Sequence, residues 1–452
     1  MNFLIIGGDA AGMSAASRAK RRNPDMNVTV LEMTEDVSYS ACGMPYNIAD
    51  PGRDVEDLVI RRAEVFREKQ KIDLRTGHKV ESIDRSAKTV SGTQSDGTPF
   101  TLPYDKLLVA TGATPVRPAI PGADLPGVMT LNSLDEGRQI KSALADKSVQ
   151  KVVLIGMGYI ALEMCECLHE RGIAVEMVKP RSGLLPWLDR EMADAVRAEI
   201  ESRGVAVHDG MEIQRIEADG SDEKGGPFRV ICSGLTLEAD LVLIGIGVAP
   251  NSRIAEAAGL ELGPQKAIAV DKRMRTSDPD IFAAGDCADA FHVVGGHRVF
   301  IPLALRANRA GWAAADNVAG APAELPGVAG TAVFKIFDYQ VARTGLTVAE
   351  AEKAGFEPAA VTIKALTRAH VYPGAERIWV HMVGDQKSGR LLGAQMVAKE
   401  TAAHRINAPA VGLQAGMTVA EFVQSDLAYA PPFGPVWDPA LTAANQLLKK
   451  LG

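Results

Sequence analysis

The chain of 452 residues contains no uninterrupted apolar run near the ~18 residues that a membrane-crossing helix needs, so no membrane span is expected. Positive charge is not in excess either. The formal balance is -7, and a modest acidic surplus speaks against nucleic acid or an anionic membrane as the main partner. Cysteine is scarce: there are five, odd in number and irregularly spaced. That excludes a disulfide framework and points to a reducing cytoplasm. The N-terminus runs straight into "NFLIIGG" with no basic stretch, so no signal peptide is expected.

What is present is apolar material for several cores, 46% of the residues, and a length that suggests about three domains of roughly 150 residues each. Residues 2–31 read as strand, Gly-rich turn, helix and strand, with Asn23-Pro24 ending the helix. The same order recurs from Lys151 to Lys179. The passages "DKLLVATGATPVRPAIPG" and "DLVLIGIGVAPN" each return the chain to a sheet. Together they predict an α/β fold with two Rossmann-like dinucleotide-binding domains. The first is discontinuous, over 1–115 and 248–325, and the second is inserted over 116–247. From 328 to 452 the character changes. The segments "TAVFKIF", "RIWVHMV" and "LLGAQMV" alternate as strands do, the last two joined as a hairpin through "GDQKSGR". Helical stretches near 400–415 and 418–424 make this an α+β third domain.

The first turn, Gly7-Gly8-Asp9-Ala10-Ala11-Gly12, keeps the outer glycines of a pyrophosphate cradle and places Asp9 where the middle glycine would stand. Free N–H groups and the dipole of the following helix favour an anion there. Glu32 ends the next strand, where a carboxylate accepts from ribose hydroxyls. Asp286, in "DIFAAGD", would bind the polyol of a larger cofactor. The second turn is Gly156-Met157-Gly158-Tyr159-Ile160-Ala161, with alanine at the tolerated third position. No acid follows its second strand. Lys179 and Arg181 stand there instead, and cations attract a 2′-phosphate, which favours NADPH over NADH.

Cys42 lies in "SYSACGMPYN", between the first Gly turn and "ATG"; "GMGYIALE", "TSDPDIFAAGD" and a C-terminal "LAYAPP" follow. This order resembles the pyridine nucleotide-disulfide oxidoreductases, and within them the single-cysteine branch of coenzyme A disulfide reductases, persulfide reductases and NADH oxidases or peroxidases. The resemblance implies FAD in the first domain, NADPH or NADH in the second, and a homodimer with a shared active site formed by the third. It assigns Gly7, Ala10, Ala11, Gly12, Glu32, Val80, Thr111, Gly112 and Asp286 to FAD. It assigns Gly156, Gly158, Tyr159, Ile160, Glu163, Lys179, Arg181 and Gly247 to NAD(P). Tyr159 matches a position that covers the flavin, and Glu163 one near the nicotinamide. Hydride would reach the flavin on one face, and electrons would leave toward Cys42 on the other.

The residue five after Cys42 is Asn47, where dithiol relatives carry a second cysteine. The partner sulfur must then come from outside. Cys42 would cycle between a thiolate and a mixed disulfide, persulfide or sulfenate, with its pKa lowered by the flavin edge and backbone N–H groups. Cys165, Cys167, Cys232 and Cys287 are read as structural, none at metal-ligand spacing. Oxidases and peroxidases of this branch carry a histidine where this chain has Ala10, which favours a reductase. The resemblance further assigns Tyr429 and Tyr372 to catalysis from the partner subunit. It assigns Ser14, Arg18, Arg21 and Ser38 to coenzyme A, with Arg22 and Lys71 beside them. Trp437 replaces a lysine that relatives hold before Asp-Pro. The resulting expectation is an FAD-dependent NAD(P)H oxidoreductase reducing a thiol disulfide or persulfide, coenzyme A disulfide first among them. An NADH oxidase or peroxidase working through a sulfenate, or a flavin electron-transfer or redox-sensor protein, are the alternatives.

Overall fold

A computed structural model describes residues 1–145, 148–219 and 227–451. The run Phe3 to Ile6 is apolar on both sides of the strand, and such runs are stable only in a sheet covered on both faces. Asn2–Ile6 accordingly lies at the centre of a five-stranded parallel sheet in the order Ile281–Ala283, Lys106–Val109, Asn2–Ile6, Asn27–Leu31, Asp73–Arg75. The run Val152 to Ile155 does the same in a second parallel sheet, between Ala174–Lys179 and Leu241–Ile244, with Ala206–Asp209 and Val128–Met129 at the edges. Each parallel sheet is accompanied by a three-stranded antiparallel one, the first over residues 78–103 and the second formed by Ile213–Ala218, Phe228–Cys232 and Leu235–Ala239. The chain passes between the two units through the antiparallel pair Ala113–Pro115 and Val248–Pro250.

The third unit is a five-stranded antiparallel sheet ordered Ala332–Ile336, Tyr339–Gly345, Leu391–Ala398, Arg377–Asp385, Pro358–Leu366. The hairpin expected through "GDQKSGR" is its inner pair. The strand Pro358–Leu366 and the C-terminal helix Pro439–Leu451 are elements the sequence pattern did not announce. The fold is thus α/β, with two Rossmann-like units and an α+β third. Among the described residues no helix is long and apolar enough to cross a membrane.

One packing feature positions the site. The short helix Met44–Ala49, which follows Cys42, does not bury its apolar side on the first sheet. Met44 and Ile48 join Leu134, Ile140, Leu162 and Cys165 in the core of the second unit. Three cations of that unit hold this helix and the chain on either side of it, between Asp36 and Glu56. Arg138 pairs with Asp36 at 2.7 Å and Glu56 at 2.7 Å. Arg171 donates to Ile48 O at 2.9 Å. Lys141 donates to Asn47 O, Asn47 Oδ1 and Asp50 O at 3.0, 2.9 and 2.9 Å, and to Arg53 O. Cations at a helix C-terminus complement its free carbonyls.

Candidate active site

The first Gly turn is built by close backbone approach. Gly7 has φ +107°, and a Cβ there would strike Ala110 O; a Cβ on Gly12 would drive into Gly7 O. The helix Ala10–Arg22 starts immediately after, with Ala10 and Ala11 in its first turn and Asp9 at its cap. Glu32 turns back on this loop, accepting from Gly8 N at 2.7 Å and Thr34 N at 2.9 Å. Asp286 Oδ1 is buried and has no hydrogen-bond partner among the described residues. A buried carboxylate oxygen left bare costs energy, so this atom marks a place for a polar ligand. Asp9 accepts from Tyr39 N at 3.3 Å. Burial pushes the Asp9 carboxyl up to about 7, and nearby Glu32 and Asp286 add to the rise. Thr111 exchanges hydrogen bonds with Asn251, 2.6 Å to its carbonyl and 2.9 Å from its amide. Gly112 has φ +68° with open space beside it. Val80 is buried in the strand His78–Asp84.

The second turn repeats the construction more loosely. Gly156 has φ +113°, and a Cβ there would meet Gly245 O, whereas a Cβ on Gly158 would find that oxygen at 3.8 Å. Gly247 has φ +119° and nothing near it. Ile160 is exposed. The Tyr159 ring lies against Phe334 of the third unit at 5.2 Å and Trp187 at 6.1 Å between centroids. Lys179, expected to attract a 2′-phosphate, has its ammonium turned to the protein's own backbone. It is buried, its Nζ donates to Leu184 O at 3.2 Å, and burial lowers its pKa. Arg181 is exposed beside it.

Cys42 sits in the turn Ala41–Gly43 and is the one exposed cysteine; the other four are free and buried. Its segment is pinned to the first Gly turn, since Ser38 N donates to Gly8 O at 3.1 Å, with Ser38 in the left-handed region at φ 51°. Lys71 is exposed, also left-handed at φ 56°. Asn47, at the position where dithiol relatives carry their second cysteine, is wholly buried, with Nδ2 donating to Asp54 O at 2.7 Å. The expected lowering of the Cys42 thiol is not produced by the polypeptide. Desolvation pushes it up, and the charges of Glu163, Asp286 and Asp9 act in the same direction. A backbone N–H hydrogen bond opposes the rise without reversing it.

Of the residues assigned to coenzyme A, Ser14 donates to Asn308 Oδ1 at 2.5 Å. Arg18 and Arg22 both pair with Asp316, at 2.7 and 2.8 Å, and Arg18 lies over the Trp312 ring. Arg21 is exposed. Asn308, Trp312 and Asp316 all belong to the helix Ala304–Val318, packed along the first helix; nothing local in the sequence marks them as partners. The hydrogen bond from Arg18 holds Asp316 down to about 2. A carboxyl lower in the folded than in the unfolded chain stabilises fully above about pH 4, and the contribution is lost as pH falls toward 2. Asp316→Asn is therefore expected to lower unfolding free energy by about 1–2 kcal/mol at pH 7. Urea melts should show the gap to the parent protein narrowing at pH 3.

Tyr372 and Tyr429 lie in neighbouring loops joined by Ala369 N donating to Pro431 O at 3.1 Å. Tyr429, Phe433, Val436 and Trp437 are exposed along one segment, as is Val371 on the other loop.

The description "Pyridine nucleotide-disulphide oxidoreductase" matches residues 1–311, and the dimerisation domain of the same group matches residues 331–440. The chain belongs to this oxidoreductase family. It is 40% identical over 446 residues to an NAD(P)H sulfur oxidoreductase (CoA-dependent) of Pyrococcus furiosus, covering 98% of each chain. It is 33% identical over 452 residues to an NADH oxidase of Methanocaldococcus jannaschii, covering 100% of this chain and 99% of the other. An NAD-dependent persulfide reductase from A. fulgidus has the same fold, with a TM-score of 0.95 and 37% identity over 100% of this chain and 83% of that one. FAD and a nicotinamide nucleotide are the cofactors of the family, and this oxidoreductase has the fittings for both. The tight first turn, Glu32 and the bare Asp286 oxygen suit FAD; the second turn, with open space at Gly158 and Gly247, suits NAD(P)H. Sequence reasoning missed Tyr46, although it stands within "SYSACGMPYN". Its hydroxyl donates to Glu163 Oε1 at 2.8 Å.

Proposed function

We propose that the protein reduces a thiol disulfide or persulfide, coenzyme A disulfide first among them, at the expense of NAD(P)H, and that Cys42 is the redox group. The observation that carries this reading is the placement of the single exposed cysteine. Cys42 is fixed by Ser38 to the FAD-type turn, and by Met44, Ile48 and Asn47 to the nucleotide unit. The names of its relatives, CoA-dependent sulfur oxidoreductase and persulfide reductase, support the same class of acceptor.

The Cys42 thiolate displaces one thiol from the substrate disulfide and retains the other as a mixed disulfide. FAD and NAD(P)H, when bound, supply the two electrons that cleave this second bond. The departing thiolate takes a proton, and Tyr429 of the partner subunit, with Tyr372 of the partner subunit beside it, is placed in our reading to donate it. Gly7, Ala10, Ala11, Gly12, Glu32, Val80, Thr111, Gly112 and Asp286 hold FAD. Gly156, Gly158, Ile160, Glu163, Arg181 and Gly247 hold the nucleotide, with Lys179 bracing the loop and Tyr159 screening the nicotinamide side. Ser14, Ser38, Arg21 and Lys71 face coenzyme A, and Arg18 and Arg22 do so from their shared anchor on Asp316. The enzyme works as a homodimer in the cytoplasm. Its domains follow the boundaries 1–115 with 248–325, 116–247, and 328–452.

The test is stoichiometric. With coenzyme A disulfide the enzyme should release two thiols for each NAD(P)H consumed, with oxygen uptake at background. Oxygen uptake that accounts for the NAD(P)H, without thiol release, would establish the oxidase instead.

A further inference from the structure

The redox segment carries a tyrosine, Tyr46, that this chemistry leaves unused. Cys42 and Tyr46 are four residues apart in the continuous helical run of Ala41–Gly43 and Met44–Ala49, so their side chains share a face. The run packs on the helix Tyr159–Glu170, and there the Tyr46 hydroxyl donates to Glu163 Oε1 at 2.8 Å. Glu166, one turn further on, is already engaged by Lys335 and by Phe337 N at 2.9 Å. Tyr46 thus serves Glu163.

We propose that Tyr46 is a positioning residue: its phenol pins the Glu163 carboxylate beside the Cys42 segment, and that pinned charge governs how readily the Cys42 sulfur becomes a thiolate. Three carboxyls act on the sulfur from three elements: Glu163 from the helix of the second unit, Asp286 from the loop after Ile281–Ala283, and Asp9 from the first Gly turn. Glu163 has the strongest electrostatic effect of the three. Burial raises both Asp9 and Asp286, so each holds its charge weakly. Burial raises Glu163 as well, with Glu166 adding to the rise, and the hydrogen bond from Tyr46 is the interaction that opposes it and favours the ionised form. A fixed negative charge disfavours a second one nearby. The Glu163 charge thereby works against ionisation of the sulfur, and a thiol resists oxidation better than a thiolate. Glu163 lies in the first turns of the helix that opens at the nucleotide-type Gly turn. The charge that restrains the thiol is therefore delivered by the nucleotide unit.

The proposal rests on Cys42 being the reactive thiol, and its test reads that thiol directly. Holoenzyme is alkylated with iodoacetamide between about pH 5 and 10, and the mass of the Cys42 peptide is followed. Glu163→Gln should lower the midpoint by about one pH unit. It should also lower the plateau rate about threefold, because a thiolate of lower pKa is less nucleophilic. Tyr46→Phe should move the midpoint the same way by less. The double variant should match Glu163→Gln alone. An unmoved midpoint in Glu163→Gln overturns the proposal, as does a fall in melting temperature without a midpoint shift. A further shift from Tyr46→Phe when residue 163 is already glutamine shows Tyr46 acting on its own, and also overturns it. Disulfide turnover that survives Cys42→Ser would instead remove the functional reading and leave these titrations standing.

Discussion

Cys42→Ser is expected to cut disulfide-dependent NAD(P)H oxidation by more than about a thousandfold, while FAD content and melting temperature stay near those of the parent. A serine hydroxyl cannot form a mixed disulfide, so the acceptor step loses its covalent intermediate. No other sulfur can substitute. Cys165 and Cys167 are buried and pushed up to about 12 by burial. Cys287 is enclosed between Val109 O and Ala284 O, at 3.4 and 3.3 Å. Cys232 is buried in a strand of the second unit. The fold should not object, because Cys42 is exposed and the tight fit in that turn belongs to its neighbour: a Cβ on Gly43 would stand 2.8 Å from Leu58 Cδ2. Steady-state rates with coenzyme A disulfide, read against the flavin absorbance of the same sample, decide the matter. Retained turnover would mean that electrons leave the flavin by another route, as in the electron-transfer alternative.

Much of this arrangement could be read from the chain because it is written locally. Strand, Gly turn and helix are contiguous in residues 2–22 and 151–170, and the backbone crowding at Gly7, Gly12 and Gly156 is why glycine stands there. The hairpin of Arg377–Asp385 and Leu391–Ala398 announces itself by alternation and a short polar turn. What escaped the sequence are pairings over long separations. Tyr46 and Glu163 lie 117 residues apart, and Arg18 and Asp316 lie 298 apart. Neither partner has a periodicity that names the other. Lys179 escaped for a different reason: a lysine ending that strand reads as a cation for a 2′-phosphate, and only the loop 180–189 folding back with Leu184 O toward it shows its Nζ already engaged. The direction of the Cys42 shift could not be foreseen either, since it depends on three acids brought together from residues 9, 163 and 286.

Gly12→Ala should yield protein that has lost most of its FAD and unfolds at a clearly lower temperature, while Gly158→Ala should keep both. The two positions look alike in the sequence, each within a phosphate-type turn, and the packing separates them. The methyl group added at Gly12 meets Gly7 O and C, with Ile5 Cγ2 at 3.3 Å behind. Backbone atoms cannot rotate away as a side-chain tip can. Gly7 is itself held at φ +107° against Ala110 O, with its N–H donated to Leu31 O at 2.8 Å. The strain must therefore open the turn or shift the helix, at a cost of about 1–3 kcal/mol, and either movement spoils the fan of N–H groups that would face the pyrophosphate. At Gly158 the nearest atom to the new methyl is Gly245 O at 3.8 Å, an ordinary contact, and the residue's backbone is extended. The fold tolerates that methyl, but it enters the space a nucleotide would use, so KM for NAD(P)H should rise about tenfold. Flavin absorbance per protein and nucleotide KM, measured on both variants, separate the two cradles. Full FAD occupancy in Gly12→Ala would show that the first turn is not where the flavin nucleotide is held.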